Sequence, residues 1–162
     1  MKISRRIIAI VLLIFVVSKV LYADGNYPAG ARSLGLSHAS VTFSDAWSTF
    51  HNQAGLAGLE RISTGFFYES KYNIDELSLT AGTLVLPAGP GTFGLSFLQF
   101  GEGTRKEHKI GVGFGKKLAK RLSAGIQMDY LFRKFPENKR SFGCATMEAG
   151  IIWSPLKRLT LG

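Results

Sequence analysis

The sequence predicts an all-β protein: a transmembrane antiparallel β-barrel that is partial, with about seven strands and a small helical N-terminal hatch segment. Three observations predict this fold class. A secretory leader opens the chain, and apolar residues alternate with small or polar ones from Arg61 onward. The alternating runs are about nine to eleven residues long, the length of a tilted strand that crosses a bilayer.

Residues 1–23 have the composition of a signal peptide. A basic start, Lys2 to Arg6, precedes an apolar run from Ile7 to Val17, and the small residue Ala23 stands at the expected cleavage site. The run is about 11 residues long, whereas a membrane-spanning helix needs about 20. Export and cleavage are therefore predicted, and a retained membrane anchor is the alternative.

Much of the positive charge belongs to this leader, whose removal lowers the formal net charge from +9 to +5. Nucleic-acid binding needs basic side chains gathered on one face and a recognisable binding module, and the sequence shows neither feature. We therefore expect no nucleic-acid partner. We expect the basic residues to lie in solvated connections near lipid headgroups. Adjacent basic residues occur in the predicted connections at Arg105-Lys106, Lys116-Lys117, Lys120-Arg121, Arg133-Lys134, Lys139-Arg140 and Lys157-Arg158.

Residues 24–60 form the predicted hatch segment, because they hold the only long stretch after the leader that lacks strand-like alternation. Ser44 is a suitable helix N-cap, Asp45 suits the positive end of a helix, and Gly55 is a suitable stop. The segment is rich in small residues, so we expect it to be compact and packed against another part of the protein.

Four short motifs follow one another in this segment: Ala31-Arg32, Leu34-Gly35-Leu36, Asp45-Ala46 and Asn52-Gln53-Ala54-Gly55-Leu56-Ala57. In this order they resemble the N-terminal signature of FadL-like and PorV-like outer-membrane barrels. Two positions differ, since Gln53 stands where the family has proline and Ser37-His38 replaces a glycine pair. The turn at Asn52 therefore has to form without the fixed φ of proline.

The remainder, residues 61–162, reads as barrel strands with one apolar face. Ile110, Val112 and Phe114 alternate with glycines, and the same rhythm runs from Leu122 to Tyr130. Apolar side chains should face lipid and small or polar ones the lumen. A soluble β-sandwich is the alternative, although its strands are usually about five or six residues long. The predicted strands are 62–70, 76–86, 92–100, 108–117, 121–132, 142–153 and a last one that begins at Leu159.

The same alternation predicts the positions of three further sets of side chains: more of the apolar face, an aromatic girdle and the lumen-facing residues. Phe66-Tyr68, Leu77-Leu79-Ala81 and Phe93-Leu95-Phe97 continue the apolar face less regularly. Aromatic residues near strand ends suit an interfacial girdle: Tyr68, Tyr72, Phe100, Tyr130, Phe132 and Trp153. The predicted lumen-facing residues are Gly111, Gly113, Gly115, Gln127, Asp129 and Glu148.

Loop lengths predict the orientation. Short turns alternate with longer connections, and in outer-membrane barrels the short turns are periplasmic. The hatch segment therefore lies on the periplasmic side, from which it can enter the lumen. Single-chain bacterial barrels have an even number of strands, so seven strands would need an oligomer or a second chain to close the barrel.

No constellation for catalysis or metal binding is recognisable. Gly111, Gly113 and Gly115 lack the third glycine of a dinucleotide fingerprint, since Lys116 occupies that position. The three histidines have no partner at metal-ligand spacing. We expect Gln127, Asp129 and Glu148 to be solvated lumen residues without a catalytic role, and the lone Cys144 to be buried and inert. The prediction is no enzyme, no cofactor and no metal.

The resemblance implies the function. FadL-like proteins carry hydrophobic small molecules such as long-chain fatty acids across the outer membrane. The hatch would move when ligand binds, with Asn52, Gln53, Ala54 and Gly55 at its turn. PorV-like relatives imply the alternative of a scaffold for secreted proteins in the same membrane. A truncated paralogue without function is the third hypothesis.

Overall fold

A computed structural model of the chain describes residues 27–102, 106–134, 141–156 and 158–162. The predicted signal peptide, residues 1–23, and the first residues of the hatch segment lie outside this range. Within the described residues, no helix combines the length and the apolar character that crossing a bilayer requires.

The described residues form seven antiparallel strands in a single sheet, and the order of the strands in the sheet is their order in the sequence. The sheet curls into half a barrel with β1 and β7 at opposite edges, which confirms the predicted all-β antiparallel class. Each predicted strand is found within three residues of its predicted bounds. The strands are β1 (Ser63–Ser70), β2 (Ser78–Ala88), β3 (Gly91–Phe100), β4 (Lys106–Ala119), β5 (Leu122–Lys134), β6 (Ser141–Leu156) and β7 (Leu159–Leu161).

The register of β4 and β5 separates two faces. Val112 lies opposite Met128, and both side chains are exposed on the outer, convex face. Gly113 lies opposite Gln127, and both residues are buried on the inner, concave face. The period of two along each strand thus converts directly into an apolar outer face and a small or polar inner face, as predicted for these strands.

The predicted orientation of β2 is wrong, because its residues face the opposite side of the sheet. Leu79 and Ala81 were expected on the outer face, but both are buried on the inner face, at 2% and 0% exposure. Leu84 and Leu86 are the outward residues of this strand. The strand carries apolar residues on both faces, so alternation alone could not orient it.

Inside the curl lies the hatch segment, here defined as the described residues 27–60. It contains α1 (Ala31–Gly35), α2 (Ser48–His51) and a 3₁₀-helix (Gln53–Gly58). The prediction of Ser44 as N-cap and Gly55 as helix stop is wrong. Trp47 stands at the N-cap position of α2 without a side-chain cap, and Gly55 lies within the 3₁₀-helix.

A hydrophobic core joins the hatch segment to the inner face of β2 and β3. Its buried members are Ala29, Phe50, Leu79, Ala81 and Leu98, with Tyr27, Trp47, Phe67 and Phe100 packed around them. The half of the hatch that contacts β1 to β3 is therefore held by apolar burial, at roughly 25 cal/mol for each Å² removed from water.

Two predicted side-chain environments are also wrong. Phe100 was expected in an outer aromatic girdle, but its ring stacks on Tyr27 of the hatch segment at 4.2 Å between centroids. Cys144 was expected to be buried, but it is exposed on β6. The hatch packs against β6 farther along that strand, near Ile151, and leaves Cys144 uncovered.

Candidate functional site

The candidate site is the contact between the 3₁₀-helix of the hatch and the inner face of β4, β5 and β6. Glycines line this face where the helix approaches it. A Cβ atom at Gly115 would lie 2.6 Å from the carbonyl oxygen of Gln53, and one at Gly125 would overlap the backbone of Gln53 and Ala54. The absence of side chains here lets two backbones pack directly against each other.

Asn52 connects the hatch to β6. Its side-chain oxygen accepts a hydrogen bond from the amide of Ala54 at 3.1 Å and so caps the 3₁₀-helix. Its side-chain nitrogen donates to the carbonyl of Val41 at 3.0 Å and to the carbonyl of Ile151 at 3.1 Å. One buried amide therefore holds three backbone groups, of which one belongs to the wall of the sheet.

Gln53 occupies the first position of the 3₁₀-helix, where proline is also favoured in helices because its missing N–H is not needed there. The turn forms with glutamine at this position. The side chain gains a contact that proline could not make, since its Nε2 donates to Glu148 at 2.8 Å.

A buried ion pair lies beneath this contact. Lys109 Nζ is 2.5 Å from Glu148 Oε1 and 3.5 Å from Asp129 Oδ2. The side chains of Lys109 and Asp129 are 5% and 0% exposed, whereas that of Glu148 is 26% exposed. Two carboxylates thus share one ammonium group in a site largely closed to water, where removing one charge leaves the others uncompensated.

Gln127 links this pair to the hatch. Its Nε2 donates to Asp129 Oδ1 at 2.8 Å and to the carbonyl oxygen of Thr49 at 3.0 Å. We refer to Lys109, Gln127, Asp129, Glu148 and Gln53 as the polar cluster. Gln127 and Asp129 were expected to be solvated, and this is wrong, because the hatch covers them to 1% and 3% exposure.

Two buried oxygen atoms at this cluster, Ser96 Oγ and Gln127 Oε1, make no hydrogen bond among the described residues, whereas Asp129 Oδ2 lies 3.5 Å from Lys109 Nζ. A Cβ atom added at Gly111 would collide with Ser96 Oγ, Asp129 Oδ1 and Gln127 Nε2, so the side chains of the cluster fill the space above this glycine. A buried polar atom without a partner is unfavourable by about 1–3 kcal/mol. The cluster therefore holds the hatch less firmly than its number of polar groups suggests.

His51 lies at the end of α2 in the hatch segment. Burial lowers the pKa of its imidazole, although a backbone hydrogen bond with Ala29 and the charge of Asp45 act in the opposite direction. His38 adds a smaller lowering contribution. The neutral ring is therefore the form that fits the closed hatch.

The structure brings together most of the residues that the sequence singled out. Asn52, Gln53 and Ala54 contact the wall, and Gly55 packs within the hatch against Phe43 and Ser48. Gly111, Gly113, Gly115, Gln127, Asp129 and Glu148 all belong to that wall. Lys109 and Thr49 were missed. Lys109 could have been found, because it is two residues before Gly111 and so shares its face.

The arrangement holds the hatch segment against the wall of the sheet. Within the described ranges, His, Cys, Asp and Glu form no group of three that could hold a metal ion. Charged and amide groups make reversible contacts, because water or a polar ligand can replace each partner. Comparison with known proteins adds no assignment: no family model, curated protein or solved structure matches the chain.

The contacts of Asn52 predict a graded mutational series. Asn52→Ala should lower the free energy of unfolding by about 2–3 kcal/mol, since it removes a helix cap and two hydrogen bonds to carbonyls. Asn52→Asp keeps the capping oxygen but loses both donated bonds. It should therefore also lower the free energy of unfolding, by about 1 kcal/mol less than Asn52→Ala does. Denaturant titration measures both, and equal stability of all three proteins would contradict the prediction.

Proposed function

We propose that this chain belongs to an outer-membrane β-barrel that lets hydrophobic small molecules, such as long-chain fatty acids, pass a movable hatch. The observation that carries the proposal is the outer face of the sheet. Apolar side chains there stay exposed on six neighbouring strands, a far larger patch than soluble monomers usually expose. They are Phe66, Tyr68, Leu84, Leu86, Phe93, Leu95, Phe97, Ile110, Val112, Ile126, Met128, Tyr130, Met147, Ile151 and Trp153.

Lipid is the solvent that suits this face. The strands β2 to β6 have 11, 10, 14, 13 and 16 residues, which is enough for a tilted strand to cross about 30 Å of hydrocarbon. Every backbone group within such a span needs a partner. The ladder supplies partners on both sides of β2 to β5, whereas β6 is paired along its length with β5 and only near Trp153 and Leu156 with β7. Trp153 and Tyr130 lie on the same outer face and suit the headgroup boundary.

The two-part attachment of the hatch supports a transport role. Apolar packing anchors the hatch to β2 and β3, whereas polar contacts and bare glycine backbone hold it against β4 to β6. Opening on the side of β4 to β6 would expose the buried side chains of Ala54 and Leu56 but would leave the larger apolar cluster at β2 and β3 in place. Movement about the apolar side would clear the inner face of β4 to β6 for a passing molecule.

The backbone of the hatch supports the resemblance to FadL-like and PorV-like barrels. Ser37 and His38 stand where that family has a glycine pair, and both have a positive φ, 50° and 66°. Glycine adopts this left-handed region most easily. Asn52 and Gln53 occupy the cap and first position of a helical turn, the two positions where an Asn-Pro pair fits well.

Fatty-acid binding tests the proposal. The mature protein refolded into lipid vesicles should bind a labelled long-chain fatty acid saturably, and the unlabelled acid should displace it. A short-chain acid of equal charge is the matched control, since it lacks the apolar tail. Absence of saturable binding, together with co-purification of secreted proteins from intact cells, would overturn transport and support a surface scaffold.

A further inference from the structure

A cavity of about 270 Å³ opens where the hatch meets the turn between β4 and β5. The turn contributes three cations to its lining, Lys117, Lys120 and Arg121. The hatch contributes the hydroxyl groups of Thr42 and Ser44. Further hydroxyls come from Ser123, Ser154 and Thr160, so hydrogen-bond donors surround the space on several sides.

The charged side chains that line this cavity are all positive. Among the described residues, its lining contains no Asp or Glu. The nearest described acid contact is Glu60, whose carboxylate is 4.0 Å from Lys117 Nζ, and both side chains are well exposed. A pair of that kind is weak and easily replaced. Arg121 is held in position, because its Nη1 donates to the carbonyl of Pro155 at 2.7 Å, which uses one of its five donors.

From this lining we infer that the cavity binds a phosphate monoester group. A phosphate carries nearly two negative charges at neutral pH and three acceptor oxygens, which match the three cations and the surrounding hydroxyls. The volume is slightly below the range of about 300–1,000 Å³ typical of pockets for whole small molecules. It therefore suits a headgroup or a small phosphate compound and excludes a long apolar chain.

Phosphate binding would connect two parts of the protein. Its oxygens would contact the turn through Lys117, Lys120 and Arg121, and the hatch through Thr42 and Ser44. Occupancy would therefore hold the hatch against the rim of the sheet on the side where its attachment is polar. This site uses only residues within the chain, so it does not depend on the proposed transport function.

Calorimetric titration with inorganic phosphate and with glycerol 3-phosphate tests the site on the refolded mature protein. We expect saturable binding of at least one probe, weakened at least about tenfold by the double substitution K117Q/K120Q, because two charge-assisted contacts are lost. The matched control K71Q/K106Q removes two cations from the opposite rim and should bind as the unmodified protein does. Thr42→Val with Ser44→Ala should weaken binding without changing the charge.

Vesicle flotation distinguishes the source of the phosphate. Binding to phosphatidic acid vesicles in preference to phosphatidylcholine vesicles, lost in K117Q/K120Q, assigns the site to a lipid headgroup. Binding of the soluble probes alone assigns it to a free phosphate compound. Failure of every probe, or equal binding by K117Q/K120Q and the unmodified protein, would overturn the inference. Membrane insertion and fatty-acid binding of the same preparations report separately on the proposed function.

Discussion

Gly125→Val is expected to displace the hatch from the sheet and to lower the free energy of unfolding by about 3 kcal/mol or more. A Cβ at this position overlaps the backbone of Gln53 and Ala54, and a backbone cannot rotate away as a side chain can. Overpacking of a filled interior is unfavourable by about 1–3 kcal/mol, and by more when the neighbours are rigid. The hatch should therefore lose its contact with β4 to β6.

Gly82→Val is the matched control. An added Cβ there meets nothing closer than 3.9 Å, and valine favours strands. Limited proteolysis of residues 27–60 and denaturant titration measure both variants. Faster cleavage of the hatch in Gly125→Val alone is the expected result, and equal protection in the two variants would show that the hatch does not contact the glycine wall.

Lys109→Met should destabilise the protein by about 3–5 kcal/mol, because it leaves Asp129 and Glu148 next to each other without their shared cation. The lower figure is expected, since Glu148 keeps 26% of its side chain exposed and can be hydrated. Methionine fills a similar volume, so the loss reports on charge more than on packing.

Two controls isolate the buried charge. Lys117→Gln removes a cation from an exposed pair and should change stability by less than about 1 kcal/mol. The triple variant K109M/D129N/E148Q removes all three charges and should regain most of the lost stability. If the triple variant is as unstable as Lys109→Met, packing of the lysine stem and not charge compensation holds the cluster.

The strands could be predicted because their pattern is local. β4 and β5 alternate cleanly, and their outer and inner faces are as predicted. β2 was misoriented because Leu79, Val85 and Leu86 place apolar groups on both of its faces. Which of them faces inward depends on Phe50 and Ala29 of the hatch, and that contact has no local signal in the sequence.

The candidate site was predicted in its parts but not in its environment. The alternation along β5 predicts that Gln127 and Asp129 face the inner side of the sheet, whereas their burial results from the hatch that covers them. The cluster also needs Lys109, whose role is defined by distances to β5 and β6. Sequence spacing within one strand cannot report such contacts across strands.

The most direct test of the central claim, that the outer face meets lipid, uses the two tryptophans of the chain. Trp153 is half exposed on the outer face of β6, whereas Trp47 packs inside against Phe50 and Phe67. In vesicles of brominated phospholipid, Trp47→Phe retains the outer tryptophan and Trp153→Phe retains the inner one. We predict strong quenching of Trp153 and little quenching of Trp47. Equal quenching of both, or a mature protein that stays in the aqueous phase without detergent, would contradict the account.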